Sequence, residues 1–135
     1  MARYEERINR AKGSLEIAQT KIIGHIQYED LCFQAQQAAE KALKGLLIYY
    51  GVEPEFTHNI ERLLNELKTF TEISENIIES AQLTDYASQT RYPGEYDEIT
   101  KEEYLKCIKT AKDCLDWVEY KLRETTLPEV KPPTN

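Results

Sequence analysis

Three polar side chains on the second predicted helix could together hold an anionic group. Gln37, Lys41 and Lys44 follow one another at steps of four and three residues, which places them side by side on a helix surface. Two ammonium groups and an amide offer hydrogen-bond donors to a phosphate or a carboxylate. The alternative is an ordinary solvated strip, because Glu40 and Lys44 have the spacing of a common i,i+4 ion pair.

A second candidate is His58, which stands at the start of the third predicted helix. The free N–H groups and partial positive charge of a helix N-terminus suit an anion and disfavour an imidazolium. A neutral imidazole there could act as an acid, a base or a hydrogen-bond donor. Alternatively, the ring packs the preceding loop against the rest of the protein, since neither His58 nor His25 has a second ligand or catalytic partner nearby in sequence.

The third candidate is the connection over residues 91–99, which is longer than neighbouring helices need. Arg91 carries a planar donor fork suited to phosphate or carboxylate. Pro93-Gly94 would fix a turn that places Tyr92 and Tyr96 near it. The alternative is a structural corner, in which Arg91 binds the carbonyls of a helix end and the tyrosines pack.

Other chemistry finds no support in the sequence. The glycines are isolated, so no phosphate-binding loop or dinucleotide fingerprint is present. Cys32, Cys107 and Cys114 lack zinc-ligand spacing and are expected to be small buried apolar residues in a reducing compartment. We therefore predict no metal and no cofactor.

Charge and hydropathy restrict the partners. The 135-residue chain has a net charge of -7, which argues against a broad basic DNA-binding surface but allows a small local basic patch. The longest apolar run, Leu46–Tyr50, is far too short to span a bilayer. Residues 1–6 contain no apolar signal-peptide core, so a cytoplasmic protein without membrane contact is expected.

Apolar periodicity predicts the elements that position these candidates. Near both ends of the chain, apolar residues recur at alternating steps of four and three, which is typical of one helix stripe. The first stripe comprises Tyr4, Ile8, Ala11, Leu15, Ala18 and Ile22, and the last comprises Tyr104, Ile108, Ala111, Leu115, Val118 and Leu122. Such seams predict an all-α fold, an up-and-down bundle of helices packed side by side.

The remaining elements follow from the same pattern. The first helix is expected to end near Gly24, and the second, about Tyr28 to Tyr50, is apolar nearly all round and should lie in the middle of the fold. Thr57 is the predicted N-cap of a third helix that reaches Phe70. A weaker fourth helix covers about 73–88. Residues 1–125 form the predicted domain, and the proline-containing end, 126–135, is a predicted disordered tail.

Three segments together resemble the HEPN family (higher eukaryotes and prokaryotes nucleotide-binding). They are the run FQAQQAAEKALKGLL at 33–47, His58 with the apolar residues that follow it, and Arg91-Tyr92-Pro93-Gly94. The resemblance covers about Tyr4 to Glu124. It implies a five-helix domain built on an antiparallel four-helix bundle, usually a homodimer, and often encoded beside a minimal nucleotidyltransferase as a toxin–antitoxin pair.

The resemblance also implies what a catalytic member would need. Such members are metal-independent ribonucleases that use an Arg followed four to six residues later by a His, and no Arg in this chain has a His at that spacing. If Arg91 matches the family Arg, Tyr96 stands nearest to the His position. A phenol with a pKa near 10 is a poor general base at neutral pH. By resemblance, Tyr96 is also a candidate acceptor for modification by the transferase.

Two functions from different classes are therefore considered. The favoured hypothesis is a non-catalytic nucleotide- or RNA-binding module that acts with a minimal nucleotidyltransferase. Its ligand site would use Lys41, Lys44, His58, Arg91 and Tyr92. The alternative is a ribonuclease toxin with a variant active site around Arg91 and Tyr96, and a pure dimerising scaffold is a third reading.

Overall fold

The computed structural model describes residues 3–87 and 98–125, and all regular structure within these ranges is helical. The helices are α1 (Arg3–Ala18), α2 (Tyr28–Tyr49), α3 (Ile60–Leu67), α4 (Glu75–Ile78) and α5 (Lys101–Thr125), and α4 continues directly into a 3₁₀ segment, Glu79–Tyr86. The predicted all-α fold is confirmed. Among the described residues, no helix is both long and apolar enough to cross a membrane.

Helices α1 and α2 run antiparallel along their whole length. The rings of Tyr4 and Tyr49 meet edge to face with centroids 5.1 Å apart at one end. Further along, Lys41 Nζ donates to Ser14 Oγ at 2.9 Å. Between these contacts the backbones come close at Gly45, where an added Cβ would lie 2.8 Å from Ile8 Cδ1. The missing side chain of Gly45 therefore leaves room for Ile8 of α1 to pack closely on α2.

Helix α5 also runs antiparallel to α1. The Tyr104 hydroxyl, near the start of α5, donates to the carbonyl of Ala18 at 2.7 Å. Toward the other ends of the two helices, Lys12 Nζ lies 2.9 Å from Glu119 Oε2. Helix α3 and the 3₁₀ segment pack on α2 and on each other. The predicted up-and-down bundle is thus confirmed.

Helix α2 is the central element, as its composition predicts. It packs against α1, α3, α5 and the 3₁₀ segment. Ala39 and Ala42 are completely buried, because their short side chains let neighbouring helices come close. The helix ends at Tyr49 with Tyr50 as its C-cap, and the next residue, Gly51, has a φ of 91°, a conformation that favours glycine.

The predicted end of the first helix is wrong. Helix α1 ends at Ala18, so Ile22 is not part of its stripe and is 44% exposed. The polar Thr20 turns the chain earlier, since its hydroxyl donates to the Ile17 carbonyl at 2.8 Å and satisfies an acceptor at the helix end. Gly24, with φ of 60°, lies in the connection after the helix.

The N-cap of α3 is also displaced from its predicted position. Asn59 is the cap, with its side-chain oxygen accepting from the Arg62 N–H at 3.2 Å. Thr57 instead accepts from the Asn59 N–H at 3.0 Å and orders the turn before the helix. Phe70 lies beyond the end of α3, where its ring stacks on Tyr50.

The fourth predicted element is shorter as an α-helix than expected, because only Glu75–Ile78 is α-helical and the rest is the 3₁₀ segment. The predicted turn at 91–96 and the predicted tail at 126–135 lie outside the described residues.

Candidate functional site

The most concentrated polar cluster in the described chain surrounds Glu40, in the middle of α2. Glu40 is only 4% exposed. Its Oε2 accepts from Lys44 Nζ at 2.8 Å, and its Oε1 accepts from Gln36 Nε2 and contacts His58 Nδ1, both at 3.0 Å. The expected Glu40–Lys44 pair therefore exists, but it is buried rather than part of a solvated strip.

The surroundings of Glu40 hold its carboxylate in the charged form. Burial acts to raise its pKa, but hydrogen bonds from Lys44, His58 and Gln36 outweigh burial, and the pKa of Glu40 is lowered from its ordinary value. A buried carboxylate of this kind needs its donors, since an unpaired buried charge is costly. Glu40 is therefore a fixed acceptor that orients the groups around it.

His58 is the exposed member of this cluster. Its side chain is 68% exposed, although Nδ1 is held by the buried carboxylate of Glu40. An ionised carboxylate is only an acceptor, so Nδ1 carries the proton in this contact. Gln36 adds a second restraint by donating to the backbone carbonyl of His58 at 3.1 Å. The imidazole is thus oriented from inside while Nε2 makes no hydrogen bond to the described residues.

The three polar side chains of the predicted anion strip do not converge. Gln37 donates to Gln36 Oε1 at 2.8 Å and so faces the Glu40 cluster with Lys44. Lys41 turns toward α1 instead, where it donates to the buried Ser14. The structure brings Lys44 and His58 together on Glu40 and directs Lys41 toward Ser14 of α1.

Lys41 belongs to a group of cations whose other two members, Arg7 and Arg10, were not predicted as site residues. Burial and the nearby guanidinium of Arg10 lower the pKa of Lys41. Arg7 lies one turn before Arg10 on α1. Within residues 3–87 and 98–125, neither arginine nor Lys41 forms an ion pair with a carboxylate. We call Arg7, Arg10 and Lys41 the basic row.

The basic row is continuous with an open cleft beside the Glu40 cluster. The cleft has a volume of about 310 Å³ and is lined by Arg7, Lys44, Glu53, Pro54, Glu55 and Phe56. Its two carboxylates are already paired, Glu53 with Arg3 at 2.9 Å and Glu55 with Arg62 at 2.6 Å. Arg7 is therefore the cation of the cleft whose charge is not matched by a described carboxylate. One signal in the sequence, the i,i+3 spacing of Arg7 and Arg10, could have indicated it.

Other predicted residues add nothing to this site. Cys32, Cys107 and Cys114 are buried free thiols, as expected, and burial raises the pKa of Cys114 to about 12. The described residues contain no group of three or more side chains able to hold a metal ion. Arg91, Tyr92 and Tyr96 lie outside the described residues, so their place relative to the cleft stays a prediction.

Comparison with known proteins gives consistent results. The family described as HEPN domain matches residues 4–121. The chain is 28% identical over 134 residues to a protein of Methanocaldococcus jannaschii named Putative toxin MJ1304, covering 87% of this chain and 86% of that protein. The crystal structure of TT1696 from Thermus thermophilus matches with a TM-score of 0.77 and 34% identity, over 90% of this chain and 99% of that one. The crystal structure of ST0689, an archaeal HEPN homologue, matches with a TM-score of 0.69 and 33% identity, over 88% and 97% of the two chains.

Proposed function

Since this chain belongs to the HEPN family, we propose that it is a nucleotide- or RNA-binding HEPN module that acts with a minimal nucleotidyltransferase and does not itself cleave RNA. One observation supports binding above the others. The basic row places together three cations that form no ion pair with a carboxylate of residues 3–87 or 98–125, on a protein whose net charge is -7.

The chemistry of the row matches a phosphate. Arg7 and Arg10 have guanidinium forks that bind phosphate oxygens in pairs, and Lys41 adds a point charge. Lys41 and Arg10 repel each other, which contributes to the lowered pKa of Lys41. A phosphate between them relieves that repulsion and favours the charged lysine, so the two groups gain more from an anion than isolated surface cations would.

The Glu40 cluster supplies a second type of contact beside the row. Because Glu40 holds Nδ1, the exposed Nε2 of His58 can accept a hydrogen bond from a ribose hydroxyl or, when the ring is protonated, donate to a phosphate. Lys44 is mainly the counter-ion of Glu40, and it also lines the cleft. In this proposal Arg91 and Tyr92 contribute further ligand contacts.

The binding test compares two double variants with the same change in charge. Arg10→Gln/Lys41→Gln removes two members of the basic row, whereas Lys109→Gln/Lys112→Gln removes two exposed lysines of α5 that pair with carboxylates. Fluorescence anisotropy with a labelled single-stranded RNA at about 50 mM salt should show a loss of roughly 10-fold or more only for the first, with a weaker salt dependence. Equal affinities of the two double variants, or no binding by the native protein at about 100 µM, would refute the proposal.

The proposal predicts that a minimal nucleotidyltransferase is encoded beside this chain, and that protein is used to test the partnership. The two proteins are mixed with ATP and their masses measured. We expect complex formation and an added mass on Tyr96, while Tyr96→Phe should form the complex without the addition. Absence of any adduct removes the acceptor role of Tyr96, and absence of a complex removes the partner.

A ribonuclease toxin is the second candidate, favoured by one specific observation. The His58–Glu40 contact is an imidazole oriented by a carboxylate, an arrangement suited to a general base. A relative of this chain is also named as a toxin. Incubating the protein with RNA and a metal chelator distinguishes a binding module from a metal-independent ribonuclease. For a binding module we expect little or no cleavage. Rapid cleavage that is lost in His58→Gln or Arg91→Ala would establish the ribonuclease instead.

A further inference from the structure

We propose that Phe56 is a stacking platform for an unpaired base and that the ligand of the cleft is single-stranded RNA, with a phosphate at Arg7 and the strand continuing along the basic row. This inference rests on the proposed binding function and specifies its ligand. It follows from the position of one aromatic ring beside cations that form no ion pair with a described carboxylate.

Phe56 is the most exposed large apolar residue in the described chain, and its side chain is fully accessible. Several other aromatic rings in the described residues pair with one another: Phe70 stacks on Tyr50 with centroids 5.0 Å apart, and Tyr28 stacks on Tyr104. Phe56 has no such ring contact among the described residues. A single exposed aromatic residue is not unusual, so the inference depends on what surrounds it.

The chain on the N-terminal side of Phe56 is held by two ion pairs. Arg3 of α1 binds both carboxylate oxygens of Glu53, at 3.0 and 2.9 Å. Arg62 of α3 binds Glu55 at 2.6 Å, and Pro54 between the two glutamates restricts the backbone. The ring is therefore presented from a loop tied to helices on both sides, which reduces the conformational entropy that binding must remove.

The same ion pairs determine the charge of the cleft. Glu53 and Glu55 would repel a phosphate, but each is matched by its own arginine. Arg7 remains as a cation without a carboxylate partner in the part of the chain that the structure describes, and it lines the same cleft as Phe56. An aromatic face beside an arginine is the combination that binds a base and its phosphate.

Two features favour a single strand over a duplex or a free nucleotide. The bases of a duplex are stacked on each other, so their faces cannot reach Phe56, whereas those of a single strand can. The basic row also extends beyond the cleft to Arg10 and Lys41, and so offers cations for more than one phosphate.

The experiment uses anisotropy with three labelled probes of equal length: single-stranded RNA, the same strand without bases, and an RNA duplex. Phe56→Ala should weaken binding of the single strand by about 5- to 100-fold, and leave the strand without bases unchanged. Phe56→Tyr should restore binding, because tyrosine also stacks. Tyr120→Ala, which removes an exposed aromatic residue of α5, should bind like the native protein.

The remaining outcomes would contradict the stacking role of Phe56, the single-stranded ligand or the proposed function. If Phe56→Ala binds RNA normally while Arg10→Gln/Lys41→Gln does not, the stacking platform is wrong and the proposed function stands. Equal loss for strands with and without bases would show that Phe56 acts through the shape of the loop, which also overturns the platform. Competition by ATP at full affinity would make a free nucleotide the ligand. Failure of all probes to bind the native protein would refute the proposed function itself.

Discussion

The buried pair of Glu40 and Lys44 should make each residue strongly dependent on the other. Glu40→Gln keeps the shape of the side chain but removes the negative charge that balances Lys44. Lys44→Met likewise removes the positive charge that balances Glu40. Both positions are buried in the fold. We therefore expect each single variant to destabilise the protein and the double variant to recover much of the loss.

The expected loss in the free energy of unfolding follows from the burial of the pair and from the hydrogen-bond donors that remain around Glu40. Removing one partner of a buried ion pair costs about 3–5 kcal/mol in the free energy of unfolding. The Lys44 side chain is 11% exposed and borders the open cleft, so Glu40→Gln should cost about 3 kcal/mol, at the low end of this range. After Lys44→Met, Glu40 still has Gln36 and His58 as donors, and we expect about 2 kcal/mol.

Urea denaturation, followed by circular dichroism at one fixed protein concentration, gives the free energy of unfolding of the native protein, the two single variants and the double variant. With a urea dependence of about 2 kcal/mol per molar, a loss of 3 kcal/mol moves the midpoint by about 1.5 M. The coupling energy between the two residues should be at least about 1.5 kcal/mol. A cost below about 1 kcal/mol for Glu40→Gln, or single effects that simply add in the double variant, would refute the reasoning.

The same variants predict a dependence on pH. Because the pKa of folded Glu40 lies below its ordinary value of about 4.5, its contribution is complete above pH 4.5 and is lost as pH falls through the lowered pKa. The stability difference between native protein and Glu40→Gln should therefore shrink in this acidic range. A difference that stays constant down to pH 3 would show that the charge of Glu40 is not what stabilises the fold.

Three further predictions concern the basic row, the core and assembly. Arg10→Gln should weaken RNA binding yet raise the free energy of unfolding by about 0.2–0.5 kcal/mol, because it removes a like charge beside Lys41; a loss of stability in urea would contradict this. Ala42→Leu should lower the free energy of unfolding by on the order of 1–3 kcal/mol, since the site is completely buried and a larger side chain overpacks it. An unchanged midpoint in urea would instead show a void beside Ala42. The native protein should sediment as a homodimer at tens of micromolar, roughly where specific complexes persist, and a monomer at that concentration would be the opposite result.

Much of the fold is determined locally and can be predicted from the sequence. The stripe that includes Ile8 and Leu15 and the small apolar residues Ala39 and Ala42 indicate helices and their buried faces, because helix periodicity depends only on residue spacing. The order of the helices and the central place of α2 follow from these patterns. The exact helix ends do not, since a single hydroxyl or amide, as in Thr20 and Asn59, decides where backbone groups find partners.

The arrangement of the candidate site was decided by tertiary structure. Lys41 and Lys44 are three residues apart, yet they diverge because Ser14 on α1 and Glu40 on α2 bind the ends of their long side chains. The sequence supplied His58 as a candidate, but its orienting carboxylate is 18 residues away. Arg7 and Arg10 become part of the candidate site only because α1 packs antiparallel on α2. This long-range packing brings the two cations beside Lys41 and the cleft.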